Sequence, residues 1–142
     1  MKIVDVNILL YSVNEDSPYH IPVKNWWKNT IDGRERIGLT WFVVIGFLRI
    51  STSSRAMPHP LNPSAAVRTI GNWLNLDNVR IVSESENHWD ILRSLIEEGG
   101  IAGDLMTDGH LAALAISHGA TLVSCDKDFS RFKGLRWENP FA

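Results

Sequence analysis

The chain has 142 residues, a length that suits one domain around one core. Its hydrophobic share of 44% and charged share of 21% are close to globular averages and argue against disorder. A net charge of -2 argues against a protein that coats nucleic acid through bulk electrostatics, and a single cysteine excludes an internal disulfide and any multi-cysteine zinc site.

The longest apolar stretches, such as Trp41 to Leu48, are too short to span a bilayer. Met1-Lys2 leads straight into a strand-like Ile3-Val4-Asp5 without a signal-peptide layout, so a cytoplasmic protein with no membrane partner is expected. No repeat, low-complexity tract or linker interrupts the chain, and residues 1–142 read as a single domain.

Lys2 to Val6 reads as a short buried strand, with Asp5 and Asn7 at its end where either can form an Asx turn. His20 to Ile31 places Val23, Trp26, Trp27 and Ile31 at helical spacing, and Asp32-Gly33 stops it. Arg36 to Leu39 is a second strand, after which Thr40 caps a helix running to about Ser51. Ser53 to Pro63, with three prolines, is the one long loop. A helix from Ser64 to Leu74 follows, with Asn62 or Ser64 as its cap. Val79 to Val82 is strand-like, and Ser85 to Glu98 is a helix ended by Gly99-Gly100. Asp104 to His118 is a further helix closed by Gly119, then come a strand from Thr121 to Ser124, a turn from Asp126 to Arg131 and a strand from Leu135 to Glu138.

Strands alternating with helices imply an α/β fold, a parallel sheet covered on both faces. Ligands in such sheets bind beyond the carboxyl ends of the strands. Asp5 and Asp126 both fall at such ends, and a fold that joins the first strand to the last would gather Asp5, Asp104, Asp108 and Asp126 into one acidic pocket. Crowded carboxylates repel unless protons or a cation intervene, and hard divalent cations such as Mg2+ or Mn2+ are held through carboxylate oxygens. That pattern suggests metal-dependent phosphodiester chemistry.

The four aspartates differ in their alternatives. Apolar neighbours make Asp5 costly unless its charge is paired, which favours a site role over a turn role. Asp104 and Asp108, four residues apart, share a helix face, and Asp104 reads equally well as a helix cap. Asp126 sits at the ligand end, where Ser124 can hydrogen-bond a carboxylate, and Asp128 can cap the turn that holds Phe129. The five histidines show no ligand spacing and most are expected at the surface. Cys125 lacks a histidine partner and is expected to pack or lie at the pocket rim. Arg49, Arg55, Lys127, Arg131 and Lys133 are candidates for a basic rim, or equally for ordinary solvated charges.

At these residues the chain resembles the PIN-domain ribonucleases, and specifically the VapC toxins of bacterial toxin–antitoxin pairs. The resemblance rests on Ile3-Val4-Asp5-Val6-Asn7-Ile8-Leu9, on Trp41 to Ile50 with its Phe47-Leu48-Arg49, on Thr107-Asp108-Gly109-His110-Leu111-Ala112-Ala113-Leu114-Ala115, and on Leu122-Val123-Ser124-Cys125-Asp126-Lys127-Asp128-Phe129. Each segment alone is weakly specific, and the four in this order are strong together. The resemblance implies a three-layer α/β/α domain with four to five parallel strands and an acidic Mg2+ or Mn2+ centre. It implies endonucleolytic cleavage of structured RNA, tRNA or rRNA, by water, leaving a 3′-hydroxyl and a 5′-phosphate. It further implies a homodimer silenced by a VapB-like antitoxin. Carried over residue by residue, Asp5, Asp108 and Asp126 match the acidic metal positions, with Asp104 as an additional catalytic carboxylate. Arg49, Ser124 and Lys127 are candidates for contact with RNA or antitoxin.

One departure stands out. Many PIN domains carry a glutamate just before the Phe-Leu-Arg segment, where this chain has Gly46. Either a subgroup works without it, or Asp104 supplies the charge, or the chain is a weakened RNA- or protein-binding module. A glycine within a helix costs about 1 kcal/mol relative to alanine, which suggests that a close-packed neighbour needs the space. A haloacid-dehalogenase-like phosphatase is disfavoured, because that chemistry wants a second aspartate where Asn7 stands.

Overall fold

The computed structural model describes residues 1–141. Five three-residue strands, β1 (Lys2–Val4), β2 (Ile37–Leu39), β3 (Val79–Ile81), β4 (Thr121–Val123) and β5 (Arg136–Glu138), form one sheet in the order β3-β2-β1-β4-β5. Every pairing is parallel. The helices are α1 (Val6–Val13), α2 (His20–Asp32), α3 (Trp41–Ser51), α4 (Pro63–Leu74), α5 (His88–Gly99) and α6 (Leu105–Ser117), with a 3-10 turn at Lys127–Arg131.

From β1 the chain steps through β2 to β3 in one direction, then returns across the sheet to β4 on the other side of β1. Parallel crossovers are right-handed, so this reversal puts α1–α4 on one face and α5–α6 on the other. Packing agrees: α1 lies against α2 and α3, α3 against α4, and α5 against α6. The result is the expected three-layer α/β/α domain, with five strands. Strand order reverses between β1 and β4, so the switch point lies beside Val4 and Val123, which are register partners.

Ile3, Val4, Leu39 and Leu122 have no exposed surface, as expected of strands covered on both faces. In α6 the run Leu111 to Ala115 is almost wholly buried, its alanines letting the helix approach the sheet closely. Thr40 caps α3 by accepting from the N–H of Val43 at 3.1 Å, and Asn62 caps α4 by accepting from Ala65 N–H at 2.8 Å. Gly100 (φ 62°) and Gly119 (φ 60°) supply the left-handed residues after α5 and α6.

The first strand is shorter than the sequence suggests. It ends at Val4, and Asp5 caps α1, accepting from the N–H of Val6 at 2.7 Å. The helix α1 escapes the sequence reading because Val6-Asn7-Ile8-Leu9-Leu10 is a short apolar run, which periodicity cannot tell from a buried strand. The start of α5 moves from Ser85 to His88, with a turn before it in which His88 N–H donates to Ser85 O at 3.0 Å.

Candidate metal centre

The parallel pairing of β1 with β4 brings the two ends of the chain together. Asp5 N–H continues the ladder by donating to Val123 O at 2.9 Å, so Asp5 and Ser124 emerge side by side at the carboxyl end of the sheet. Ser124 is fully buried and held on both backbone sides: its N–H donates to Glu138 O, and Trp137 Nε1 donates to its carbonyl, each at 3.0 Å. From there Ser124 Oγ donates to Asp5 Oδ2 at 2.8 Å.

Asp5 is 8% exposed. Burial raises its carboxyl above the ordinary value, the hydrogen bonds from Ser124 and Val6 draw it back, and the charge of Asp126 raises it further. Asp126 caps the 3-10 turn, its Oδ1 accepting from the N–H of Asp128 at 2.9 Å. The sequence left that capping to Asp128. With Asp126 as the cap, the exposed Asp128 carboxylate is not used in capping the turn.

Asp108 enters from the first turn of α6. One oxygen from each of Asp108, Asp126 and Asp128 lies within 4.8 Å of the others. The half-buried Asp108 carboxyl is pushed up to about 6, by burial first and then by the charges of Asp126, Asp5 and Asp128. Four carboxylates therefore gather here: three with oxygens close together, and the buried Asp5 near enough for its charge to act on Asp108. All donor atoms in the group are anionic oxygens, which fits a hard divalent cation better than a softer one.

The remaining candidates are placed as follows. Asp104 occupies the N-cap position of α6 but is exposed, and its side chain makes no capping bond. It is not in the close group of carboxylate oxygens, where Asp128 stands instead. Lys127 is exposed between Asp126 and Asp128. Arg49 lies in the last turn of α3, exposed on a groove with Ile45, Leu48, Pro63 and Val67. That is eight residues, about 12 Å of helix, from Trp41 at the ligand end. Gly46 is where α3 meets α1: a Cβ there would stand 3.3 Å from Val6 Cγ2. Cys125 is half-buried beside the pocket, its thiol pushed up to about 11 by burial and then by Asp5. Three of the five histidines lie inward of the surface, against expectation. His20 is buried, with Nδ1 2.8 Å from Tyr11 O, and His88 Nε2 lies 3.0 Å from His110 Nδ1. Core space and a ring-to-ring partner, neither visible along the chain, draw them inward.

Fold and site together define an α/β/α domain whose switch point carries an acidic pocket built from the first strand, the last long helix and the segment after β4. Residues 2–135 match the family described as PIN domain. The chain is 40% identical over 142 residues to Ribonuclease VapC37 of Mycobacterium tuberculosis, covering 100% of this chain and 99% of that protein. It is 41% identical over 140 residues to Ribonuclease VapC33 of the same organism, covering 99% and 98%. The chain belongs to the PIN-domain family and, within it, to the VapC ribonucleases. Solved structures agree in fold: VapBC2 from Rickettsia felis bound to a promoter DNA fragment (TM-score 0.70, 21% identity, 97% of each chain) and VapBC-1 from nontypeable Haemophilus influenzae (TM-score 0.67, 18% identity, 99% and 98%).

Proposed function

We propose that this protein is the toxin of a type II toxin–antitoxin pair, a Mg2+- or Mn2+-dependent endoribonuclease that hydrolyses structured RNA in the cytoplasm and is neutralised by a VapB-like antitoxin. The observation that carries the reading is the Asp108–Asp126–Asp128 group at the β1/β4 switch point, with Asp5 behind it. Whole-length identity to proteins named ribonucleases supports RNA as the substrate. A structural neighbour described as a toxin–antitoxin complex from Klebsiella pneumoniae supports the pairing with an antitoxin. Residues 1–142 act as one domain in this reading, and the toxin works as a homodimer.

Asp108, Asp126 and Asp128 would hold the cation, with Asp5 reaching it from the inner wall of the pocket, directly or through water. When bound, the cation supplies positive charge that polarises the phosphodiester and eases ionisation of the attacking water. Asp126 has a second task, since its Oδ1 accepts from the N–H of Asp128 and so fixes the backbone of the 3-10 turn that carries Asp128. Burial, and then the charges of Asp126, Asp5 and Asp128, raise the Asp108 carboxyl, so a cation held here would compete with protons for its oxygens. Lys127, on the rim, is suited to a phosphate of the RNA backbone. Water attacking phosphorus with cleavage of the P–O3′ bond leaves a 3′-hydroxyl and a 5′-phosphate, and the shape of a structured RNA loop governs selection.

The test is cleavage of a structured RNA by purified protein with Mn2+ or Mg2+. Asp5→Ala should abolish cleavage while circular dichroism stays that of the wild type. In cells, the same substitution should relieve growth arrest, as should co-expression of the adjacent small antitoxin. Full cleavage by folded Asp5→Ala would refute the assignment.

A further inference from the structure

Asn7 uses both ends of its amide. Its Nδ2 donates to Ser124 Oγ at 3.0 Å and to Asp5 Oδ2 at 3.3 Å, while its Oδ1 accepts from the backbone N–H of Cys125 at 3.2 Å. Two of these partners belong to the far end of the chain, so one planar group ties the first turn of α1 to the segment that follows β4. Reversing the amide would set Oδ1 against the Asp5 carboxylate and Nδ2 against an N–H, so the partners themselves dictate its orientation. Ser124 Oγ is saturated in consequence: its one hydrogen goes to Asp5, and it accepts from Asn7 Nδ2 and from Asp126 N–H at 3.0 Å.

Few side chains meet these demands at once. Aspartate has no donor and would set a like charge beside Asp5 Oδ2. Leucine has the size but neither donor nor acceptor. Alanine leaves the N–H of Cys125 and one lone pair of Ser124 unpartnered. The carboxamide donates to a carboxylate and accepts from a backbone amide within one rigid plane, which explains why the residue two places after Asp5 is asparagine.

We propose that Asn7 is a positioning residue of the metal centre. By gripping Ser124 and the Cys125 backbone together, it sets Asp5 Oδ2 and the Asp126 segment in one mutual geometry, so cation affinity depends on a residue that does not touch the cation. The inference rests on the reading of the aspartates as metal ligands. Partners that orient ligand carboxylates are typically worth about 10–100-fold in metal affinity or activity.

The experiment is calorimetric titration with Mn2+ alone, without RNA, on the wild type, Asn7→Ala, Asn7→Leu and Asp5→Ala, with thermal melts of each. Asn7→Ala and Asn7→Leu should remain folded and bind Mn2+ about 10-fold or more weakly. The Mn2+ concentration for half-maximal RNA cleavage should rise in step, while the rate at saturating Mn2+ moves less. Leucine is the better helix former of the pair and nearer in size to asparagine, which guards against simple loss of α1. An Mn2+ affinity unchanged in either folded variant overturns the proposal. Loss of the fold in both also overturns it, since Asn7 would then be a structural residue. Mn2+ uptake abolished in Asp5→Ala but unmoved in the Asn7 variants rejects only the role of Asn7, whereas a wild type that binds no Mn2+ rejects the metal reading itself.

Discussion

Asp108 registers the pocket's charge in its own titration. Its carboxyl rises from 3.8 to about 6 on folding, so the folded protein holds a proton there that the unfolded chain releases. The stability linked to this proton is fully present below about pH 4 and is lost as the pH rises through about 6. Metal-free protein should therefore show a rising thermal midpoint as the pH is lowered from 7 to 5. Asp108→Asn should flatten that slope in part, because burial shifts Asp5 in the same direction. Mn2+ should reverse the trend, since protons and cation compete for the same oxygens, and a midpoint insensitive to pH in metal-free wild type would contradict this account. At this scale Asp5, Asp108 and Asp126 were legible from their positions at strand ends and near a helix start. The standing of Asp104 against Asp128 was not, because it turns on which carboxylate oxygens come together with those of Asp108 and Asp126 in space.

Among the elements, α4 owes its start to two adjacent residues. Asn62 accepts from the N–H of Ala65, and Pro63 occupies the first turn, where its missing N–H costs nothing. Asn62→Ala should lower unfolding stability by about 1 kcal/mol in urea denaturation, with no change in Mn2+ affinity, because α4 is remote from the aspartates. Caps and terminating glycines of this kind are local chemistry, and Thr40, Asn62, Gly100 and Gly119 were readable for that reason. The helix α1 was not, because its residues are apolar on most sides and its N-cap, Asp5, doubles as a pocket residue. Gly46 makes sense only once α1 is seen. The space it leaves is taken by Val6, the residue after Asp5, so the position that carries a glutamate in many PIN domains here admits the close approach of α1 to α3.

At the scale of the whole molecule, the site exists only because the chain closes on itself. The β1/β4 ladder, the Lys2–Glu138 ion pair at 3.0 Å and the Asp5–Ser124–Asn7 bonds all join residues more than a hundred positions apart. Leu122 has no exposed surface at the middle of that seam. Leu122→Ala should cost about 2–5 kcal/mol in denaturant unfolding through the cavity it leaves. Because pocket residues sit on both sides of the seam, the same variant should also bind Mn2+ more weakly, unlike Asn62→Ala. Among the described residues no helix is long and apolar enough to cross a membrane.

The sequence by itself determined the class of the fold, the caps and stops of most helices and the aspartates at the ends of β1 and before β5, because each is written in a few neighbouring residues. Only the tertiary structure decided which carboxylates meet, that Asp128 rather than Asp104 joins them, and that Asn7 links the two halves of the pocket. Those outcomes depend on the direction of side chains brought together from opposite ends of the chain, and local spacing carries no information about that.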